Sequence, residues 1–223
     1  MPAQRGVFVT GTDTDVGKTE VGRAAIASLR AGGLSVGVMK PIETGVGKQG
    51  PLDALALKEA AGVDDPLGDI CPQQFALPAA PDVAALDEGR TVDLEAIVRA
   101  YQRICADRDF VWVEGAGGLL VPTTSQTCMA DLARTLALPV LLVARAALGT
   151  TNHTLLSLAE LKRQKLHCIG VVISHAGGHL SPADAKNLSG LRAKLGAQLL
   201  GELPPIQRGA PPTDWLDLDR LIG

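Results

Sequence analysis

The decapeptide GTDTDVGKTE, residues 11–20, sets two glycines, two aspartates and a lysine between an apolar run, GVFVT, and a helix-like stretch. A glycine-containing turn from strand to helix leaves several backbone N–H groups aimed at one point beside the positive end of the helix dipole. Anions bind at such a point. Gly17 supplies backbone angles closed to other residues, Lys18 has the reach for β- and γ-phosphates, and Thr19 offers a hydroxyl to Mg²⁺. The usual spacing, G-x-x-x-x-G-K-[ST], requires glycine at position 12, whereas this chain has Thr12 and carries Gly11 one residue early. A plain helix N-cap from Thr14 or Asp15 is the bland alternative, and it leaves the GKT triplet unexplained.

Three further charged residues fit phosphate chemistry. Glu114, in FVWVEGAGG, follows four apolar residues and precedes glycines that permit close approach. A carboxylate there suits Mg²⁺, which takes oxygen ligands and keeps waters and substrate phosphates in its shell; the alternative is a surface glutamate in a glycine turn. Asp53 directly precedes an apolar-periodic segment and reads either as a helix cap or as a second carboxylate on the metal. Lys40 ends an apolar run in VMKPIETG, and Pro41 holds it in extended backbone at the strand tip. A second cation at that tip serves phosphoryl transfer, which rests on positioning and electrostatics, although a solvated surface lysine has the same sequence signature.

The elements that must hold these residues alternate. Short apolar runs, VFVT from Val7, SVGVMK ending at Lys40, FVWVE ending at Glu114, PVLLVA from Pro139 and CIGVVIS ending at Ser174, read as strands buried on both faces. Between them, amphipathic segments near Glu20–Ala31, Asp53–Ala61, Leu94–Ala106, Asn152–Gln164 and Ala183–Leu195 read as helices. This predicts a single-domain α/β fold, a doubly wound and mostly parallel sheet with helices on both faces, like the phosphate-loop NTPases. Ligands bind such sheets at the carboxyl ends of the strands, where Thr10, Lys40, Glu114 and Ser174 converge. Pro72–Gly89, rich in proline and alanine, reads as a connection or lid, and the proline-rich GELPPIQRGAPPTDW as irregular until a short last helix from about Thr213.

A chain of 223 residues with net charge −3 supports one sizeable core and gives no global attraction to nucleic acid or anionic lipid. Cys71, Cys105, Cys128 and Cys168 form no C-x-x-C pair and read as small buried residues. No signal-peptide h-region precedes VFVTG, and no apolar run reaches the ~18 residues of a membrane span, so a cytoplasmic enzyme is expected.

Taken in order, GTDTDVGKTE, KPIETG, DALAL, VEGAGGLLVP and LGTTNHT resemble dethiobiotin synthetase, with LGELP at 200–204 extending the likeness weakly. The resemblance implies that 7,8-diaminononanoate and CO₂ give a carbamate, which attacks the γ-phosphate of ATP or another nucleoside triphosphate. The second amine then closes the urea ring and expels phosphate. On matching positions Lys40, Lys18 and Thr14 would act at the carbamate and γ-phosphate, and Thr19, Asp53 and Glu114 would hold Mg²⁺. Nucleotide would lie against Asp15, Val16, Gly17, Lys18, Thr19, Glu20, Asp53 and Glu114, then Gly115, Ala116 and Gly117. Ser174, His175, Pro204, Pro205 and Ile206 would flank the base, and Thr44 the diamine. The family resembles a homodimer in which Gly149, Thr150, Thr151 and Asn152 of one subunit hold the substrate tail of the other, through helix N-terminal amides. His153 reads as a structural or interface residue, since carbamate or phosphate oxygens can take the amine's proton.

Many members of that family place an asparagine after the strand that here ends VVIS, and its amide pairs with adenine in two hydrogen bonds. Ser174 and His175 cannot reproduce that pattern in one plane, so weak base discrimination, about tenfold or 1.4 kcal/mol, is expected. Two other readings compete. A partitioning or cell-division switch ATPase would carry a lysine where this chain has Gly11 and Thr12, and a basic amphipathic terminus. An amide-forming ligase of the corrinoid-pathway type would need a glutaminase domain for which no residues remain.

Overall fold

A computed structural model describes residues 6–177, 180–205 and 214–223. The chain runs β1 (Gly6–Gly11), α1 (Lys18–Ala31), β2 (Val36–Met39), β3 (Ile42–Thr44), α2 (Leu52–Ala61), α3 (Leu67–Ile70), β4 (Gln73–Phe75), α4 (Pro81–Asp87) and α5 (Leu94–Cys105). It continues through β5 (Phe110–Gly118), α6 (Met129–Thr135), β6 (Val140–Arg145), α7 (Thr150–Arg163), β7 (Cys168–Ser174), α8 (Pro182–Leu195), β8 (Leu199–Leu203) and α9 (Leu218–Ile222).

Six strands form one parallel sheet in the order β2-β5-β1-β6-β7-β8. Both faces are covered, because successive strand residues feed opposite cores. Val7 and Val9 pack with Val21, Ile26 and Leu57 of α1 and α2, while Phe8 packs with Ile97 and Ile104 of α5 and Leu132 of α6. The five strands and five long helices expected from hydrophobic pattern are present, with ends displaced by a few residues. The chain reverses its direction of winding across β1, which lies between β5 and β6, so a crevice opens at the carboxyl end of β1.

Register then shapes that crevice. Val9 stands beside Glu114, but the next pair is Gly11 with Gly118, so β5 bulges by two extra residues at Gly115–Gly117. Gly117 takes a φ of 62° in the bulge, which lifts its backbone toward the loop after β1.

Two expectations are corrected. Pro72–Gly89 is not a plain connection: Gln73–Phe75 forms β4, pairing in parallel with β3, and α4 starts at Pro81 in the first-turn position that proline favours. The C-terminal stretch is not irregular from Gly201, since β8 runs to Leu203 and extends the sheet beside β7. Gly201, without a side chain, and the charged Glu202 masked its strand pattern. The last helix starts at Leu218, capped by the Asp217 carboxylate, which accepts from Arg220 N at 3.1 Å; Thr213 lies outside the described residues.

Candidate active site

The loop after β1 wraps tightly enough to exclude side chains at two positions. A Cβ on Gly11 would fall 2.5 Å from Asp13 O and 2.8 Å from Val16 Cγ2, which accounts for the glycine standing one residue early. Gly17 has φ 90° and serves as the N-cap of α1 with no side-chain cap, leaving the first-turn amides free. Asp15 also lies in the left-handed region, at φ 52°. Lys18 Nζ folds back to donate to Asp13 O at 3.2 Å. Burial, then repulsion from Lys40, lowers the Lys18 pKa, and nearby Glu114 and Asp53 only partly oppose this. An arriving polyanion would relieve that frustration.

Opposite the loop, Lys40 is 3% exposed, and its Nζ donates to Asp53 Oδ2 and Glu114 Oε1, both at 2.6 Å. Glu114 is fully buried, and its Oε1 also accepts from Thr19 Oγ1 at 2.9 Å. Burial works against the charged ammonium, but the two carboxylates outweigh it and hold Lys40 above the usual lysine range. The same lysine pulls Asp53 below the ordinary carboxylate value, against burial. Glu114 Oε2 is buried without a hydrogen-bond partner among the described residues. An orphaned anionic oxygen beside a hydroxyl and a second carboxylate fits a hard divalent cation. Among the described residues no cluster of three or more His, Cys, Asp or Glu could hold a metal unaided, so such an ion would complete its shell with phosphate oxygens and water.

Lys18, Thr19, Lys40 and Asp53 wall a cleft of about 430 Å³ at the sheet's carboxyl edge; Glu114 is not in its lining and meets it through its hydrogen bonds with Thr19 and Lys40. Thr14, Asp15, Gly17, Lys18, Thr19 and Glu20 line one side, and Lys40, Thr44 and Asp53 the other, with Ala116 and Gly117 between them. Val16 is a core residue that offers only backbone, and Gly115 is buried, with Phe8 carbons 3.0 Å from where its Cβ would be. Ser174 is fully buried beneath the loop, its Oγ 2.3 Å from a Cβ built on Gly17, and it accepts from Ala176 N at 3.3 Å. His175 turns its Nε2 to Glu202 Oε1, and Glu202 is gripped by Arg192 Nε at 2.8 Å. Ala176 and Gly177, rather than those two side chains, reach the cleft wall. Pro204 and Pro205 follow β8, and Ile206 lies outside the described residues.

The ATP-dependent dethiobiotin synthetase of Anaeromyxobacter dehalogenans (strain 2CP-C) is 47% identical over 200 residues, covering 90% of each chain. The chain belongs to the dethiobiotin synthetase family. The Bacillus cereus (strain B4264) synthetase agrees, at 38% identity over 89% of this chain and 83% of its own. The AAA-domain family pattern also matches residues 5–213. Membership makes this an ATP-dependent ligase.

Solved structures define the fold. The MinC:MinD cell division protein complex of Aquifex aeolicus superposes with a TM-score of 0.56 at 14% identity, over 92% of this chain and 83% of that one. FtsY of Elizabethkingia anophelis in complex with GDP gives 0.54 at 15% identity, covering this whole chain and 64% of its own. Likeness at that identity is likeness of architecture, and the synthetase relatives rather than MinD decide the family.

The remaining residues of the family pattern lie at α7. Gly149, with φ 86°, is its N-cap without a side-chain cap; Thr150 is buried, Thr151 half-buried and Asn152 exposed. They do not line the phosphate-loop cleft of the same chain. Glu43, also in the cleft wall, was missed by sequence reasoning although it lies within KPIETG. Its partners are ten and eleven residues away, a separation that no local pattern signals.

Proposed function

We propose that the cleft carries out Mg²⁺- and ATP-dependent carboxylation and ring closure of 7,8-diaminononanoate to dethiobiotin. Supporting this is one juxtaposition: two ammonium groups, Lys18 and Lys40, and the oxygens of Thr19 and Asp53 share one cleft beside a free helix N-terminus, with buried Glu114 hydrogen-bonded to both Thr19 and Lys40.

In this reading one substrate amine adds to CO₂, forming a C–N bond and losing a proton. A carbamate oxygen attacks the γ-phosphorus, the bond to the β-phosphate oxygen breaks, and ADP departs from a carbamic-phosphoric anhydride. The second amine attacks the carbonyl carbon, phosphate leaves with the electron pair and its oxygen takes the amine's proton, and a five-membered urea remains. Lys18, the first residue of α1, holds the β- and γ-phosphoryl oxygens. Lys40 neutralises charge on the carbamate and transferring group, and Thr14 hydrogen-bonds beside them. Thr44 borders the diamine. Thr19, Asp53 and Glu114 would hold Mg²⁺, which would supply charge neutralisation for the nucleotide's phosphates.

The substrate tail is assigned to a second copy of the chain. Leu148, Leu155 and Leu156 of α7 and its approach stand exposed, as does Leu120 across a hollow of about 420 Å³ that reaches Thr12 and Asp13 of the phosphate loop. An apolar face continuous with the loop, next to the uncapped start of α7, suits a two-fold interface where each copy offers Gly149–Asn152 amides to the other's substrate carboxylate. Cys71, Cys105, Cys128 and Cys168 form no disulfide, which suits a reducing cytoplasm. The test mixes protein, diaminononanoate, bicarbonate, Mg²⁺ and ATP and seeks the cyclic urea by mass. Phosphate release that ignores the diamine would favour a nucleotide-driven switch instead.

A further inference from the structure

The start of α2 lacks a cap of its own. Its N-cap residue is Pro51, which offers no side-chain acceptor, and Asp53 sits in the first turn, where N–H groups have no partner within the helix. Glu43 supplies acceptors for two of these N–H groups from another element. Its Oε1 accepts from Asp53 N and its Oε2 from Ala54 N, each at 3.0 Å. A carboxylate bound through both oxygens fixes distance and orientation together, and a negative charge at a helix N-terminus is favourable.

Glu43 is itself rigidly placed. It lies in β3, which follows Lys40 and Pro41 and pairs with β4, where Glu43 stands opposite Gln74. It is 8% exposed, and burial raises its pKa against the two backbone amides. One short stretch of chain therefore carries both Lys40 and the clamp that sets Asp53, the lysine's partner. Asp53 needs such a clamp, because its side chain is 42% exposed and lies at a helix end.

We infer that Glu43 is a positioning residue that presets the Asp53 carboxylate for the divalent ion and for Lys40, acting through the first turn of α2. This rests on the metal role assigned to Asp53 above. Glu43→Ala would leave two amides uncapped and let Asp53 wander, so ion affinity falls while the phosphate loop is untouched.

The experiment titrates Mn²⁺ into protein saturated with ADP and counts free ion by its electron paramagnetic resonance signal, for wild type, Glu43→Ala, Asp53→Asn and the double variant. Expected are a roughly tenfold weaker Mn²⁺ affinity in Glu43→Ala and no further loss when Glu43→Ala is added to Asp53→Asn. Glu43→Gln, which keeps one acceptor, should fall between wild type and Glu43→Ala and serves as the reporter if the alanine variant does not fold. Equal losses in the wild-type and Asp53→Asn backgrounds would show that Glu43 does not act through Asp53 and would overturn the inference. So would an affinity within twofold of wild type in both Glu43 variants. An Asp53→Asn protein that binds Mn²⁺ normally would remove the metal role itself, and the inference with it.

Discussion

Lys40 Nζ and Thr19 Oγ1 share a single acceptor, Glu114 Oε1, at 2.6 and 2.9 Å. The shared oxygen lies where a phosphate loop's metal ligands are expected, so the lysine neutralises the carboxylates that the proposal gives to Mg²⁺. A buried ion pair of this kind is costly to form and more costly to break on one side, which means a cation entering the pair must replace the ammonium rather than join it. The terminal phosphoryl group then offers the displaced Lys40 a new partner.

Competition of that kind is measurable without turnover. Lys40→Met removes the tethered cation and leaves Asp53 and Glu114 facing each other, so Mn²⁺ affinity in the absence of nucleotide should rise about tenfold, or 1.4 kcal/mol. The same variant should bind nucleotide nearly normally while turnover falls at least a hundredfold, about 2.7 kcal/mol of lost transition-state stabilisation. Unchanged Mn²⁺ binding would mean that lysine and metal do not compete, and near-normal turnover would remove Lys40 from the chemistry.

Much of this was legible in the chain because it is local. Gly17, Lys18 and Thr19 follow one another, and apolar runs as long as PVLLVA mark strands covered on both faces without further information. Glu114 and Lys40 were legible as charges ending such runs. What escaped were features whose partners lie far along the sequence. The strands β3 and β4 are three residues each and, among the described residues, pair only with one another, too short for a period to show. The Glu43 clamp crosses from a strand to a helix, and the turning of His175 toward Glu202 depends on β8 lying beside β7. Asp53 read as either cap or ligand. In the fold Glu43 caps the helix, which leaves the Asp53 side chain free to face Lys40.

The Arg192–Glu202–His175 cluster predicts an acid-dependent term in stability. Burial alone would raise the Glu202 pKa, yet hydrogen bonds from Arg192 and His175 bring it below the ordinary 4.5. A carboxylate with a depressed folded-state pKa stabilises fully above its unfolded value and loses that contribution as pH falls through the folded one. Glu202→Gln should therefore melt below wild type at pH 7, by about 3 °C for a loss of about 1 kcal/mol in a chain of this size. The gap should narrow as pH drops from about 5 to 3.5. Thermal unfolding followed by circular dichroism reads it, and a gap that widens on acidification would contradict the assignment.

The proposed two-fold interface predicts a linked loss of assembly and substrate affinity. Leu156 is 60% exposed and Leu148 69% exposed, so Leu156→Glu should leave each copy folded while placing like charges across the symmetry axis. Sedimentation should then show monomers at micromolar concentration. The KM for diaminononanoate should rise by tenfold or more with the KM for ATP little changed, because only the substrate tail is assigned to the partner. A monomeric variant with wild-type KM for the diamine would break that link.

Selectivity for the base follows from where two side chains point. An asparagine amide can donate to and accept from adenine in one plane, and neither residue after the β7 core takes that role here. Ser174 is sealed beneath Gly17, and His175 is turned to Glu202. Among the described residues, Ala176 and Gly177 are what remains at that wall, presenting backbone and a methyl group that can satisfy more than one base edge. A site that leaves no buried polar group unpaired when the base changes has little means to reject the change. The expected result is that kcat/KM for ATP, GTP and CTP differ by about tenfold, or 1.4 kcal/mol, in steady-state assays at saturating diamine and bicarbonate. A preference for ATP above roughly a thousandfold would require a specific reader of the adenine edge, and the backbone at Ala176 and Gly177 would then be insufficient.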